Sequence, residues 1–394
     1  MALRELIRST PWWARVVTVF AASRVLTTGL LLWFASRQEA NPWTIAQPGY
    51  VDFARMWDAH WYYIIAVVGY PTELPVTADG HVGESAWAFM PAYPFLVRGL
   101  MLGGTEYFAE VGIAVSVVFA LGTCLLLYRL FERSLGTGSA LFAVVLFCVA
   151  PLSPIYQIAY AESMHAFLLT LALLLLVERR YLTLLPVIAL MALTRPSGLA
   201  FALAMLLHLG YRWWRRGTEA FPPREIGRVI VVGLFSFVMG LAWLLIAAAT
   251  TGSLTAYTDT ELAWRAGYIG YGELVPFAAW IQGAEFWLRF PEGPWIVAAG
   301  LVFLVGLIVV LVRARRLPVD LRFWSASYMI YLLAVFFPQS STFRLLVPLF
   351  PALGALAIPS SRVYRVVLVL LFIAGQVAWL QACWLVDGAD WTVP

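Results

Sequence analysis

Apolar runs of about 18 residues or more recur along this chain, each long enough to cross the hydrocarbon core of a bilayer. A soluble core could not absorb them, because 62% of the 394 residues are hydrophobic and only 12% are charged. In lipid, every backbone polar group must be satisfied within the chain, so such runs predict helices. The fold class that follows is all-α and polytopic, one transmembrane domain over 1–394. The expected spans lie near 14–36, 110–130, 138–157, 161–177, 181–194, 197–211, 226–250, 293–312, 321–338, 343–359 and 364–384, about eleven in all. The two flanking Arg195 are short and read as a partial hairpin. Two long connections remain, 37–108 and 251–292. The second is polar and aromatic, with Asp259, Glu261, Glu273 and Glu285.

Charge gives the orientation. All 26 basic residues are arginine, and eighteen of them fall on one side of the expected spans, leaving eight on the other. Sixteen of the 22 acidic residues fall opposite the arginine-rich side. By the positive-inside rule the arginine-rich side is cytoplasmic. The expectation is a multi-pass protein of the cell inner (plasma) membrane with its N-terminus cytoplasmic. Both long connections and the acidic end DGADWTVP are then extracytoplasmic. The first run contains Arg24 and lacks a convincing small-residue cleavage site, so it reads as a retained span rather than a signal peptide. The pI near 9.0 follows from the inner loops and does not indicate a nucleic-acid partner.

Other classes are weakly supported. Cys124, Cys148 and Cys383 lie in apolar runs with no CxxC, and His60, His81, His165 and His208 lack metal-ligand spacing. Neither a disulfide framework nor a thiolate metal site is expected, and no metal or cofactor is assigned. No repeat of 20–50 residues is visible. Matching halves with broken helices, which secondary transporters often show, are not evident either. Mid-span acidic residues are nearly absent, which leaves little for an ion relay. The polar weight lies in the outer loops, and that favours chemistry at the outer face over transport.

The most informative loop stretch is Trp57–Tyr70, WDAHWYYIIAVVGY, with AFMPAYP at 88–94. Asp58 opens a pattern with Trp61, Ile64, Ile65 and Val68, the spacing of one helix face, and Gly69 is placed to end it. About three turns is too short to span, so the stretch predicts an interfacial helix presenting a carboxylate at the water–lipid boundary. The alternative role for Asp58 is an N-cap. The two are compatible, since amides at a helix N-terminus favour an ionised carboxylate.

These residues resemble the phosphatidylinositol-glycan class V family, the second mannosyltransferase of GPI assembly and its bacterial relatives. The resemblance rests on a tryptophan–aspartate, a glycine–tyrosine and an alanine–phenylalanine–x–proline block. It continues in LFCVAPLSPIYQIAYAESMHAFLLTLALL (146–174) and LMALTRPSGLAFALAMLLH (190–208), covering about half the chain. Ala161 and Ser197 depart from the family's usual serine and asparagine. The resemblance implies a GT-C bundle whose first outer loop carries interfacial helices and an essential acid. It also implies inverting transfer of mannose from a polyprenyl-phosphate-mannose donor to a lipid or glycolipid acceptor, among membrane lipids.

Such a reaction requires a base for the acceptor hydroxyl and cations for the departing phosphate. Asp58 is the candidate catalytic base. Arg195 and Arg344, at outer ends of spans, are candidates to grip phosphate; the alternatives are snorkelling or pairing with an acidic residue. Glu162 would orient the acceptor or pair with Arg195. His60 and His165 are candidates for sugar hydroxyls, and Trp57, Trp61, Tyr62 and Tyr70 for sugar faces, though belt aromatics are common in any membrane protein. Tyr93 is expected to pack the second interfacial helix. Competing readings are another polyprenyl-phosphate sugar (arabinose or glucose), a lipid-sugar flippase, or a non-catalytic partner subunit.

The orientation is testable. Cysteines introduced within 72–88 should react with an impermeant thiol reagent in intact cells, and cysteines within 213–220 only after permeabilisation. The reverse pattern would place Asp58 in the cytoplasm.

Overall fold

The computed structural model describes residues 10–386. Arg4, Arg8 and the acidic end at 387–394, which entered the orientation argument, lie outside the described residues. Among the described residues the regular structure is helical, and extended backbone pairs only at a single bridge between Val76 and Val82.

Helix α1 (Trp12–Ala35) is followed by a connection holding α2 (Tyr50–Ala54), α3 (Asp58–Val67) and α4 (Ala92–Leu100). Next come α5 (Phe108–Leu135), α6 (Thr137–Val149), α7 (Glu162–Val177), α8 (Leu184–Ala192), α9 (Gly198–Trp214) and α10 (Pro223–Thr251). The second connection folds into α11 (Ala256–Ile269) and α12 (Ala278–Trp287). The chain ends with α13 (Gly293–Arg313), α14 (Val319–Val335), α15 (Thr342–Leu345), α16 (Pro351–Leu356) and α17 (Arg362–Cys383).

Five of the described helices are long and apolar enough to cross a membrane: Trp12–Ala35, Thr105–Leu135, Pro223–Thr251, Gly293–Val312 and Arg362–Cys383. They coincide with five of the expected spans. The other expected spans are shorter or interrupted. The run at 138–157 stops as a helix at Val149, ahead of Pro151 and Pro154. The run at 343–359 is not one helix but α15, a 3-10 turn at Val347–Leu349 and α16, split around Pro348 and Pro351. Proline withholds the backbone donor that would continue the ladder, a cost that hydropathy alone does not register.

Several polar groups inside the bundle bond across helices. Arg24, midway along α1, donates to the carbonyls of Cys148 and Ser153, each at 2.9 Å, and to the Ser153 hydroxyl. An intramembrane guanidinium needs such acceptors in place of water. The thiols of Cys124 and Cys148 lie 3.5 Å apart as free cysteines.

Helix α7 ties two charged regions together. Its 16 residues rise about 24 Å, less than the roughly 30 Å of a hydrocarbon core. Glu162 stands at its N-terminus. At the other end Glu178 pairs with Arg133 at 2.7 Å, and nearby Glu219 accepts from Arg179 at 2.8 Å and Arg212 at 2.7 Å. His208 links to that region through Tyr181 at 3.1 Å and holds Asp320 at 2.6 Å. Arg133, Arg179 and Arg212, three of the arginines assigned to the inner side by sequence, thus lie at the end of α7 away from Glu162.

Helices α9 and α10 meet most closely where glycines face each other. A Cβ at Gly198 would lie 2.6 Å from the backbone of Gly240, and the Ser236 hydroxyl donates to the Gly198 carbonyl at 2.8 Å. Small residues allow this approach, which seats the Arg195 turn against the bundle. Gly198→Ala should therefore overpack the contact and cost about 1–3 kcal/mol, read as a lower melting temperature of the purified protein. Gly210→Ala, inside the same helix with nothing within 4 Å of the added carbon, should instead raise it slightly, because alanine is the better helix former.

Candidate active site

Four charged side chains drawn from distant parts of the sequence meet at the N-terminal end of α7. The Asp58 carboxylate forms a short ion pair with the Arg344 guanidinium. Arg344 also lies 3.5 Å from Glu162 through its Nε, and Glu162 accepts from Arg195 at 2.7 Å. The order Asp58, Arg344, Glu162, Arg195 alternates in sign, and no side chain in it is more than 17% exposed. A cavity of about 10 Å³, room for a single water, lies against Glu162, Arg195 and Arg344 and is closed by His165, Tyr328 and Pro348. Arg344 thus stands between two carboxylates, Asp58 and Glu162.

Asp58 does not act as a cap. It is the first residue of α3, the capping position belongs to Trp57, and no side chain accepts a hydrogen bond there. The Trp57 backbone is left-handed, φ 59° and ψ −122°, an uncommon conformation for a bulky residue. Tyr160 secures it, receiving the Asp58 N–H at 3.1 Å on its hydroxyl while Arg344 lies over its ring at 5.6 Å. Tyr160 stands inside the quoted 146–174 segment, yet sequence reasoning passed over it because a tyrosine two residues before a glutamate carries no distinctive pattern.

The buried face of α3 is also displaced from the expected one. Asp58, Ala59, Tyr62, Ile65 and Ala66 are buried, whereas Val68 lies past the helix end and is 81% exposed. The aromatic neighbours Tyr93, Phe89 and Tyr160 pack edge-on around Tyr62, so small residues beside Tyr62 turn inward. Gly69 does end the helix, at φ 91°.

The remaining candidates are placed as follows. Trp57 is buried against Trp43, with ring centroids 5.4 Å apart. His60 is exposed and edge-on to Trp43. Tyr70 is engaged in packing: its hydroxyl donates to the Phe89 carbonyl at 2.8 Å and its ring contacts Trp87 and Trp243. His165 bonds the Ser197 hydroxyl at 3.0 Å through Nε2. Tyr93 is fully buried on α4 and donates to the Gly112 carbonyl at 3.0 Å. The structure thus gathers Asp58, Glu162, Arg195 and Arg344, and sets His60 and Tyr70 apart from them. Among the described residues no three His, Cys, Asp or Glu side chains group as metal ligands.

One further acid faces this cluster. Helix α11 packs on α3 through Trp264, edge-on to Trp61 at 5.7 Å and to Phe89 at 6.0 Å. One turn away, Glu261 is exposed as a residue, while protein packs around its carboxyl. That crowding pushes its pKa up to about 7, opposed by the Tyr257 hydroxyl and by the charges of Arg195 and Arg265. Sequence reasoning counted Glu261 among the loop acids without placing it, because nothing local to it reports its distance from Arg195.

A carboxyl raised from 4.5 to about 7 keeps a proton that the unfolded chain has released. Between those values the folded state binds more protons, so its contribution to stability falls as pH rises through the window and is level above it. Across pH 4.5 to 7 the melting temperature of Glu261→Gln should therefore rise relative to that of the wild type, so that the two curves differ in slope over this window. An identical slope in the variant would place the titration elsewhere.

No family model matches the chain. No curated protein matches it. Among solved structures it is similar to an oligosaccharyltransferase of Archaeoglobus fulgidus. The form tethered to an acceptor peptide through a disulfide bond shows 13% identity and a TM-score of 0.48, covering 92% of this chain and 54% of that one. The complex with an inhibitory peptide and a dolichol-phosphate shows 14% identity and a TM-score of 0.48, covering 93% and 55%. The complex with zinc and sulfate shows 16% identity and a TM-score of 0.44, covering 92% and 52%. The chain spans about half the length of these structures.

Proposed function

We propose that this protein is an integral membrane glycosyltransferase that moves mannose from polyprenyl-phosphate-mannose to an outer-leaflet lipid or glycolipid acceptor, with inversion. The observation that carries the reading is the buried cluster of two carboxylates and two guanidinium groups. Within it, Glu162 Oε2 and Arg344 Nε are buried with no hydrogen-bond partner. Unmatched capacity of that kind calls for an explanation, and a phosphate oxygen accepting from Arg344 supplies one.

The chemistry follows from the charges. The donor phosphodiester carries one negative charge and leaves with a second developing as its bond to the anomeric carbon breaks. Arg344 and Arg195 turn from their carboxylates toward it, and their fixed positive charge stabilises the leaving phosphate. Asp58, released from Arg344, takes the proton of the acceptor hydroxyl as that oxygen attacks from the opposite face. The new bond forms to the acceptor oxygen, the electron pair of the old one departs with polyprenyl phosphate, and no acid is needed to protonate it. The ordered blocks shared with the phosphatidylinositol-glycan class V family support mannose as the sugar. On this reading about eleven membrane segments, some short, hold both long connections outside the inner membrane and the N-terminus inside.

Membranes containing the protein should transfer labelled mannose from synthetic polyprenyl-phosphate-mannose. Asp58→Asn should lower the specific activity of folded protein by at least about 10²-fold, as loss of a general base does. Asp52→Asn should stay active, since that carboxylate pairs with Arg55 at 2.9 Å in an exposed position. Transfer that works only with GDP-mannose once lipid-carrier synthesis is blocked would overturn the proposal. A panel of arabinose and glucose donors separates the other sugars, and lipid translocation that survives in Asp58→Asn would mark a flippase.

A further inference from the structure

The two long connections enclose a cleft that the reaction described above does not use. Its volume is about 330 Å³, at the lower end of the range for small-molecule sites. One wall is the turn closed by the Val76–Val82 bridge, with Gly80, His81 and Val82; the other is Asp259 and Leu262 of α11 with Tyr271 and Gly272. The His81 and Tyr271 rings stack across it, 4.1 Å apart and 8° from parallel. That contact joins the first connection to the second.

The lining is selective about chemistry. Its one charged side chain is Asp259, and no arginine is present to hold an anion. A phosphate is therefore disfavoured by like charge. Val82 and Leu262 alone are too little apolar surface for a prenyl chain. A single carboxylate and a single imidazole fall short of a metal site, and no three-ligand group exists among the described residues. What remains is an aromatic platform, a carboxylate with no ion pair or side-chain hydrogen bond among the described residues, and backbone bare of side chains at two glycines. Carboxylate oxygens accept from neighbouring hydroxyls, exposed peptide groups both donate and accept, and a ring face suits the apolar side of a pyranose.

Position adds a second constraint. With 3.6 residues per turn, Asp259 projects from α11 roughly opposite Glu261, with Leu262 between it and the face of Tyr257, Glu261 and Arg265. The latter face feels the charges of Arg195 and Asp58. The side of α11 that carries Asp259 into the cleft thus points away from the charged cluster. One sugar cannot occupy both. Resting on the proposed transfer reaction, we infer that the cleft binds a neutral hexose already present on the acceptor, distal to the sugar that is attacked. The acceptor is then a glycolipid bearing more than one sugar, and the second connection selects it.

Purified full-length protein in nanodiscs should show saturable binding of methyl mannoside or mannobiose by saturation-transfer NMR, with choline and inorganic phosphate as comparison probes. Gly272→Phe fills the cleft where a Cβ meets nothing within 4 Å and the backbone is not left-handed, so it should fold and weaken binding at least 10-fold. Asp259→Ala should weaken it similarly, and a matching circular dichroism spectrum and melting temperature show that each variant is folded. Asp58→Asn should bind sugar as the wild type does, which separates this test from that of the transfer reaction. In assays with a multi-sugar acceptor, Gly272→Phe should raise KM at least 10-fold with kcat unchanged. Absent sugar binding, binding unaltered in both folded cleft variants, or saturable binding of choline in place of sugar would each overturn the inference.

Discussion

Two arginines buried against two carboxylates set the terms for this part of the fold. Removing each ion from water costs several kcal/mol, and only complete pairing with good geometry offsets it. Asp58, Glu162, Arg195 and Arg344 come from α3, α7, the turn before α9, and α15. Every one of those segments must arrive for any of them to be stable there. Loss of one partner leaves an uncompensated charge, typically at a cost of about 3–5 kcal/mol. The glycine contact between α9 and α10 and the aromatic packing around Tyr62 hold the segments at the distance this pairing requires.

Tyr160 and Trp57 aim the carboxylate. A left-handed bulky residue costs of order 1–3 kcal/mol and persists only where its surroundings over-determine it. Here the indole is buried against Trp43, and the next N–H is taken by the Tyr160 hydroxyl. The consequence is rotational. Asp58 and Tyr62 turn toward the bundle, while Trp61 is left to meet Trp264 on α11. A helix started by an ordinary cap would have no such reason to commit its first carboxylate inward.

This rotation also marks where sequence reasoning reaches its limit. The existence of α3, its short length and its end at Gly69 were legible because glycine and apolar spacing act locally. The buried face was not, since it depends on Tyr93 and Tyr160, more than twenty residues away. Likewise the long apolar helices were readable from hydropathy, whereas the break around Pro348 and Pro351 shows proline overruling it. The pairing of Glu162 with Arg195 was one of two roles open to Glu162; the bridging of Asp58 to Glu162 by Arg344 was not foreseen, because no pattern relates positions 58 and 344. Glu261 entered only as a loop charge for the same reason.

Depth gives the arrangement its chemical sense. On the proposed orientation, the Glu178 end of α7 lies at the cytoplasmic face, and a rise of about 24 Å leaves Glu162 roughly 6 Å short of the opposite edge of the hydrocarbon. The polyprenyl phosphate of the proposed donor, anchored by its own chain, would present its phosphate near that level without leaving the lipid. A polar acceptor must instead descend from the aqueous side, and the segment standing there is α11. Its inner face presents Glu261, Tyr257 and Arg265 toward the charged cluster, and its outer face borders the cleft that meets His81. On the proposed reaction, donor and acceptor would approach by different routes and meet beside Asp58, which would limit attack by water on the lipid-linked sugar. The bundle supplies the fixed charges, and the two long connections decide what reaches them.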